Sequence, residues 1–166
     1  MGSTIDLRSA DGFTFSAYAA GPAGATKGIV VIQEIFGVNH HMRDMCDRFA
    51  AEGYAVVSPA IFDRAERGVE LGYTQEDIDK GRGYRMKLDD AKVMADVEAA
   101  AAHLAGKKLG IVGYCLAARL HGGVRRGPTS SPHRRAGTAA ASRGRRTKGR
   151  AARCRCISAR RTPRYR

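Results

Sequence analysis

Apolar and polar positions alternate over residues 4–7 and again over 13–19, the two-residue period of a strand with one covered face. Between the runs stands Asp11-Gly12, a dipeptide suited to a tight turn, so an opening β-hairpin is predicted. After Gly21-Pro22 the pattern changes. Gly28-Ile29-Val30-Val31-Ile32 is a continuous apolar run rich in β-branched residues, as in a strand covered on both faces, and it ends at Gln33-Glu34. Over residues 41–52 the apolar positions Met42, Met45, Cys46, Phe49 and Ala50 recur at helical spacing among Arg43, Asp44, Asp47 and Arg48, and Gly53 closes the helix. Residues 54–57 form a second buried strand, stopped by Pro59. Helical composition returns over 76–87 and 90–104, the latter Ala-rich with Val93, Val97 and Leu104 on one stripe. A third buried strand, 109–114, runs directly into Cys115.

Strands separated by helices of this length predict βαβ units, an α/β fold and a mainly parallel sheet. Such sheets bind ligands beyond the carboxyl ends of their strands. Glu34 and Cys115 both follow such ends.

Charge divides the chain in two. Of its 29 Lys and Arg, 13 lie before residue 117 together with all 16 acidic residues, a balance ordinary for a soluble enzyme. The remaining 16 basic residues, all Arg except Lys148, fall in 117–166 with no acidic neighbour, so the formal charge of +13 belongs to this tail. Two domain units are expected, 1–116 and 117–166. Blocks of like charge tend to be disordered and to attract phosphates, so the tail is expected to be disordered and to meet nucleic acid by nonspecific attraction. No apolar run is long enough for a membrane span and no signal peptide opens the chain, so a cytoplasmic location is expected. Cys46, Cys115, Cys154 and Cys156 have no spacing typical of a disulfide framework. A zinc site from Cys154, Cys156, His121 and His133 is disfavoured, because one-residue Cys spacing departs from usual ligand pairs.

Gly113-Tyr114-Cys115-Leu116 follows a strand and matches four positions of the nucleophile elbow, Gly-x-nucleophile-x-Gly, with Ala117 in place of the final glycine. An isolated cysteine is more often a buried structural residue, but the strand and Gly113 favour a nucleophile. The segment Val31-Ile32-Gln33-Glu34-Ile35-Phe36-Gly37-Val38-Asn39, followed by Arg43, resembles the signature of the dienelactone hydrolase (carboxymethylenebutenolidase) family. Ala60-Ile61-Phe62-Asp63-Arg64, Asp96-Val97-Glu98-Ala99-Ala100 and Gly110-Ile111-Val112-Gly113-Tyr114-Cys115 resemble the same family in order and approximate spacing.

The resemblance implies an α/β-hydrolase-type, mostly parallel sheet with flanking helices, here incomplete at its C-terminus. It also implies cleavage of a dienelactone or similar small ester or lactone, with no metal or organic cofactor. Cys115 would be the nucleophile. Glu34 would lie beside the resting thiol and influence its ionisation, although by sequence alone Glu34 equally fits a solvated helix cap. The backbone N–H groups of Ile35 and Leu116 would stabilise the oxyanion. The family also holds a substrate carboxylate from the helical region before Asp90, where Lys80, Arg82, Tyr84 and Arg85 remain alternatives, each also consistent with a solvated helix face.

A thiol nucleophile needs a base and an acid that orients it. His121 and His133 come too early after Cys115, and the tail holds no Asp or Glu, so little or no activity is expected. The Arg-rich tail resembles a GC-rich gene translated out of frame. If one nucleotide is lost near Leu116, the code permits Gly-Gly-Thr at 117–119, restoring the elbow glycine. The same phase permits a Tyr-Gly-Gly-Gly segment at 138–141 and an Asp at 162, as the family pattern asks, with the family histidine beyond Arg166. A frameshifted hydrolase is therefore the preferred expectation, and a basic nucleic-acid-binding or interaction protein acting through 117–166 is the alternative.

Overall fold

The computed structural model describes residues 1–114 and the two-residue strand Arg155–Cys156. Cys115, Leu116 and the expectations for the tail lie outside the described residues. The strands are β1 (Ser3–Arg8), β2 (Thr14–Ala20), β3 (Lys27–Ile32), β4 (Ala55–Pro59), β5 (Lys108–Gly113) and β6 (Arg155–Cys156). The helices are α1 (His40–Ala51), α2 (Gln75–Lys87) and α3 (Asp90–His103), with a 3-10 turn at Ile61–Arg64.

The six strands form one sheet in the order β1-β2-β4-β3-β5-β6. β1 with β2 and β2 with β4 are antiparallel, while β3 is parallel to both β4 and β5, and β5 to β6. The opening hairpin is present, but its loop is one residue longer than a two-residue turn. Gly12 N–H donates to Ser9 O and Ser9 N–H to Phe13 O, both at 2.9 Å, leaving Ala10, Asp11 and Gly12 between them. Gly12 takes φ +85°, so this is a type I turn followed by a left-handed residue.

Alternation along each strand sends side chains to opposite faces. Ala17, Val30, Ile32 and Val57 pack with Val97 and Ala100 of α3 and with Leu104 at its C-terminal end on one face. Tyr18, Ile29, Val31 and Val56 pack with Met42 and Cys46 of α1 on the other. The continuous apolar run of β3 is explained by this double coverage, and each fully buried valine there contributes about 1.5–3 kcal/mol. The predicted stripe of α3 is the buried one, with Val93, Val97 and Leu104 all at most 4% exposed.

Helix ends are secured locally. Asn39 caps α1, its side chain accepting from Met42 N–H at 3.2 Å, and Asp89 caps α3. Thr74 and Asp77 form a reciprocal capping box at the start of α2. At the end of α1, Gly53 N–H bonds to Ala50 O and Tyr54 N–H to Phe49 O, a Schellman closure. A third cluster, Ile61, Phe62, Leu88 and Val93, joins the turn after β4 to α3, with Ile35 and Tyr84 packed against it.

Candidate active site

The candidate site lies where β3 and β5 end side by side. Their parallel register pairs Val30 with Ile111, Val31 with Val112 and Ile32 with Gly113, and Tyr114 N–H continues toward Ile32 O at 3.5 Å. Glu34 stands two residues past Ile32, as Cys115 stands two residues past Gly113 in the sequence.

Glu34 is half-buried and does not cap a helix, since Asn39 occupies that position for α1. Burial raises the Tyr114 phenol above its ordinary pKa, with smaller contributions from Cys46 and from the negative charge of Glu34. Glu34 and Tyr114 thus share one electrostatic environment at the strand ends.

The segment after β3 is stitched to a second loop. Leu71 N–H donates to Phe36 O at 2.8 Å, and Asn39 Nδ2 donates to Leu71 O at 3.0 Å. Arg43 Nη1 donates to Val38 O at 2.8 Å and to Glu70 Oε1 at 2.6 Å. Phe36 rests against Tyr73 with ring centroids 4.6 Å apart. Asn39 and Arg43 therefore hold the loop in place, which gives a physical reason for their place in the signature.

Gln33 is fully buried. Its Oε1 accepts from Ile61 N–H at 3.1 Å and its Nε2 donates to Glu34 O at 3.3 Å. The N–H of Ile35, the sequence-derived oxyanion donor, lies on the same peptide unit as the Glu34 carbonyl, and among the described residues it meets no hydrogen-bond acceptor. Sequence reasoning assigns Gln33 no role, and its signal is a polar amide closing an otherwise apolar strand.

The four side chains before Asp90 are separated by the structure. Lys80 and Arg82 are exposed and paired within α2, with Glu76 at 2.7 Å and Asp79 at 3.3 Å. Arg85 pairs with Asp90. Tyr84 differs: its ring packs 5.7 Å from Phe62, and its hydroxyl donates to Glu66 Oε2 at 2.9 Å. Gly81 is buried against Ile35, where a Cβ would overlap the Ile35 carbonyl oxygen.

Cys46 is a different kind of thiol. It is fully buried in the α1 layer, and burial pushes its pKa up to about 12, so it is protonated and unreactive in the folded chain. Among the described residues no cluster of His, Cys, Asp and Glu is arranged to hold a metal ion, and no helix is long and apolar enough to cross a membrane.

The model of the dienelactone hydrolase family matches residues 15–127. The carboxymethylenebutenolidase of Pseudomonas putida is 36% identical over 124 residues, covering 70% of this chain and 52% of that protein. A Synechocystis protein provisionally named carboxymethylenebutenolidase is 41% identical over 93 residues, covering 52% of this chain and 38% of its own. The chain therefore spans about half or less of the length of these curated relatives. Among solved structures, a protein of Klebsiella pneumoniae subsp. pneumoniae provisionally named a dienelactone hydrolase is 30% identical, with a TM-score of 0.52 over 68% of this chain and 50% of that one. The sheet with helices on both faces is accordingly of the α/β-hydrolase type, and the chain belongs to the dienelactone hydrolase family.

Proposed function

We propose that residues 1–116 carry the nucleophile and oxyanion portion of an esterase site for a small ester or lactone, with Cys115 as nucleophile. The observation that carries this reading is the register of Ile32 with Gly113, which starts the Glu34 and Cys115 segments from adjacent strand ends. In the reaction the Cys115 thiolate attacks the ester carbonyl carbon, and the developing oxyanion is received by the backbone N–H groups of Ile35 and Leu116. The carbon–oxygen bond to the leaving alkoxide then breaks, giving a thioester that water hydrolyses. By the family resemblance, Glu34 is assigned the role of influencing the charge state of the thiol.

The hydrolytic half of this cycle needs a base to activate water, and the tail provides no histidine with an acidic partner. Acylation without sustained turnover is the expected behaviour. Incubation with 4-nitrophenyl acetate should place one acetyl group on Cys115, located by peptide mass, and Cys115→Ala should abolish it. Sustained hydrolysis that survives Cys115→Ala overturns the assignment.

The concentration of 15 Arg and no acidic residue after Leu116 supports the further reading that 117–166 is translated in a shifted frame. Resequencing the gene around the Leu116 codon tests this, and an unbroken frame shared with the relatives excludes it. If the tail instead acts on nucleic acid, binding must fall steeply as salt rises and vanish on deletion of 117–166.

A further inference from the structure

We propose that Gln33 is a positioning residue for the oxyanion donor. It fixes the plane of the Glu34–Ile35 peptide and thereby the direction of the Ile35 N–H. The inference rests on the esterase reading above and extends it from the reacting groups to the residue that aims one of them.

The carbonyl of Glu34 and the N–H of Ile35 belong to one planar trans peptide, in which the two bonds point in opposite directions. Whatever holds the carbonyl therefore aims the N–H. The carbonyl is held by Gln33 Nε2 at 3.3 Å, alongside the antiparallel bridge that Glu34 makes with Gly37. Gln33 cannot rotate away, because its Oε1 is anchored by Ile61 N–H at 3.1 Å and the side chain is 0% exposed. Releasing either end would leave a buried polar group without a partner. The amide thus ties the end of β3 to the end of β4 and directs the Ile35 N–H away from itself, where no described residue accepts it.

The following peptide is constrained from the other side. α2 approaches so closely at Gly81 that any side chain would overlap the Ile35 carbonyl oxygen. A glycine inside a helix costs about 1 kcal/mol relative to alanine, and at Gly81 that cost is offset by access of the helix to Ile35. The Ile35 side chain is meanwhile packed against Ile61, Phe62, Leu88 and Val93. Both peptides flanking the Ile35 Cα are consequently fixed before any substrate arrives, the condition under which a donor stabilises developing charge without reorganisation.

The test compares two reactions of Cys115 that differ in their need for an oxyanion donor. Acylation by 4-nitrophenyl acetate passes through a tetrahedral oxyanion, whereas alkylation by iodoacetamide is a displacement at a saturated carbon and does not. In Gln33→Met, and independently in Gly81→Ala, the acylation rate should fall on the order of tenfold or more, while the alkylation rate stays within about twofold. Resistance of Cys46 to iodoacetamide reports that the core remains closed. An unchanged ratio of the two rates overturns the proposal. If the parent chain takes no acetyl group on Cys115, the esterase reading fails, and the positioning claim is decided by the backbone amide resonances. A shift at Ile35 in Gln33→Met with α3 unmoved supports it, and an unmoved Ile35 refutes it.

Discussion

Arg64 grips Asp96 through two hydrogen bonds, Nε to Oδ2 at 2.6 Å and Nη2 to Oδ1 at 2.7 Å, and the carboxylate is fully buried. The same guanidinium reaches Asp11 at 2.9 Å and Ser9 Oγ at 3.0 Å, and it lies 4.5 Å over the Phe13 ring. One arginine therefore fastens the opening hairpin, the turn after β4 and helix α3. Removing Arg64 leaves the fully buried Asp96 carboxylate uncompensated, so Arg64→Met should destabilise the fold by about 3–5 kcal/mol in urea denaturation. Replacing both members by apolar residues, Arg64→Met with Asp96→Leu, should cost much less. Equal losses in the single and double variants would show that the pair is not energetically coupled.

Acid should loosen this junction. The Arg64 hydrogen bonds, followed by those from Ser9 and the Phe13 N–H, hold the Asp11 carboxyl well below its ordinary pKa of 3.8. A depressed native pKa stabilises the fold above the unfolded value, and that contribution is lost as pH falls from about 4 toward the native pKa. Thermal midpoints of the parent should drop over this range more steeply than those of Asp11→Asn. Parallel curves would remove Asp11 from the acid response.

Gly37 has φ +82°, and a Cβ there would overlap the carbonyl oxygen of Val69. Gly37→Ala should therefore lose at least about 1–2 kcal/mol from backbone strain alone. It should also prise the loop after β3 from residues 69–71, raising proteolytic cleavage in these loops before global unfolding. A variant with parent-like stability and cleavage would contradict the close approach.

Cys46 and its neighbour Ser58 offer a check on the α1 layer. Ser58 Oγ is buried and has no hydrogen-bond partner among the described residues beyond the weak thiol of Cys46 beside it. Deleting a poorly satisfied hydroxyl costs little, so Ser58→Ala should be neutral or slightly stabilising by denaturant titration. Alkylation of Cys46 should appear only where denaturant opens the core.

The elements themselves were legible because their signals are local: the two-residue period of the hairpin, the apolar run of β3, the helical spacing of α1 and the Gly53 that closes it. The position of Glu34 and Ile35 after a buried strand was legible for the same reason. What the sequence concealed is non-local. Gln33 meets Ile61 across 28 positions and Asn39 meets Leu71 across 32, and no periodicity encodes such partners. Gly81 carries no local signal beyond a weak helix former in α2, and its purpose emerges once the helix is seen against Ile35. Likewise Lys80, Arg82, Tyr84 and Arg85 lie in one polar helix, and packing alone distinguishes the half-buried Tyr84 and Arg85 from the exposed Lys80 and Arg82.

The pairing of β3 with β5 joins residues that are 81 positions apart at Lys27 and Lys108, whereas the loop after β3 is fastened by partners much nearer in sequence. Closing the longer interval carries the larger entropy cost, and contacts of high separation form late. The packing around Ile35 draws only on residues 33–93 and can therefore be assembled while β5 is still unpaired. Synthesis from the N-terminus then makes β5 the last strand within residues 1–114 to dock, so a chain stalled before it already holds the packed surroundings of Ile35.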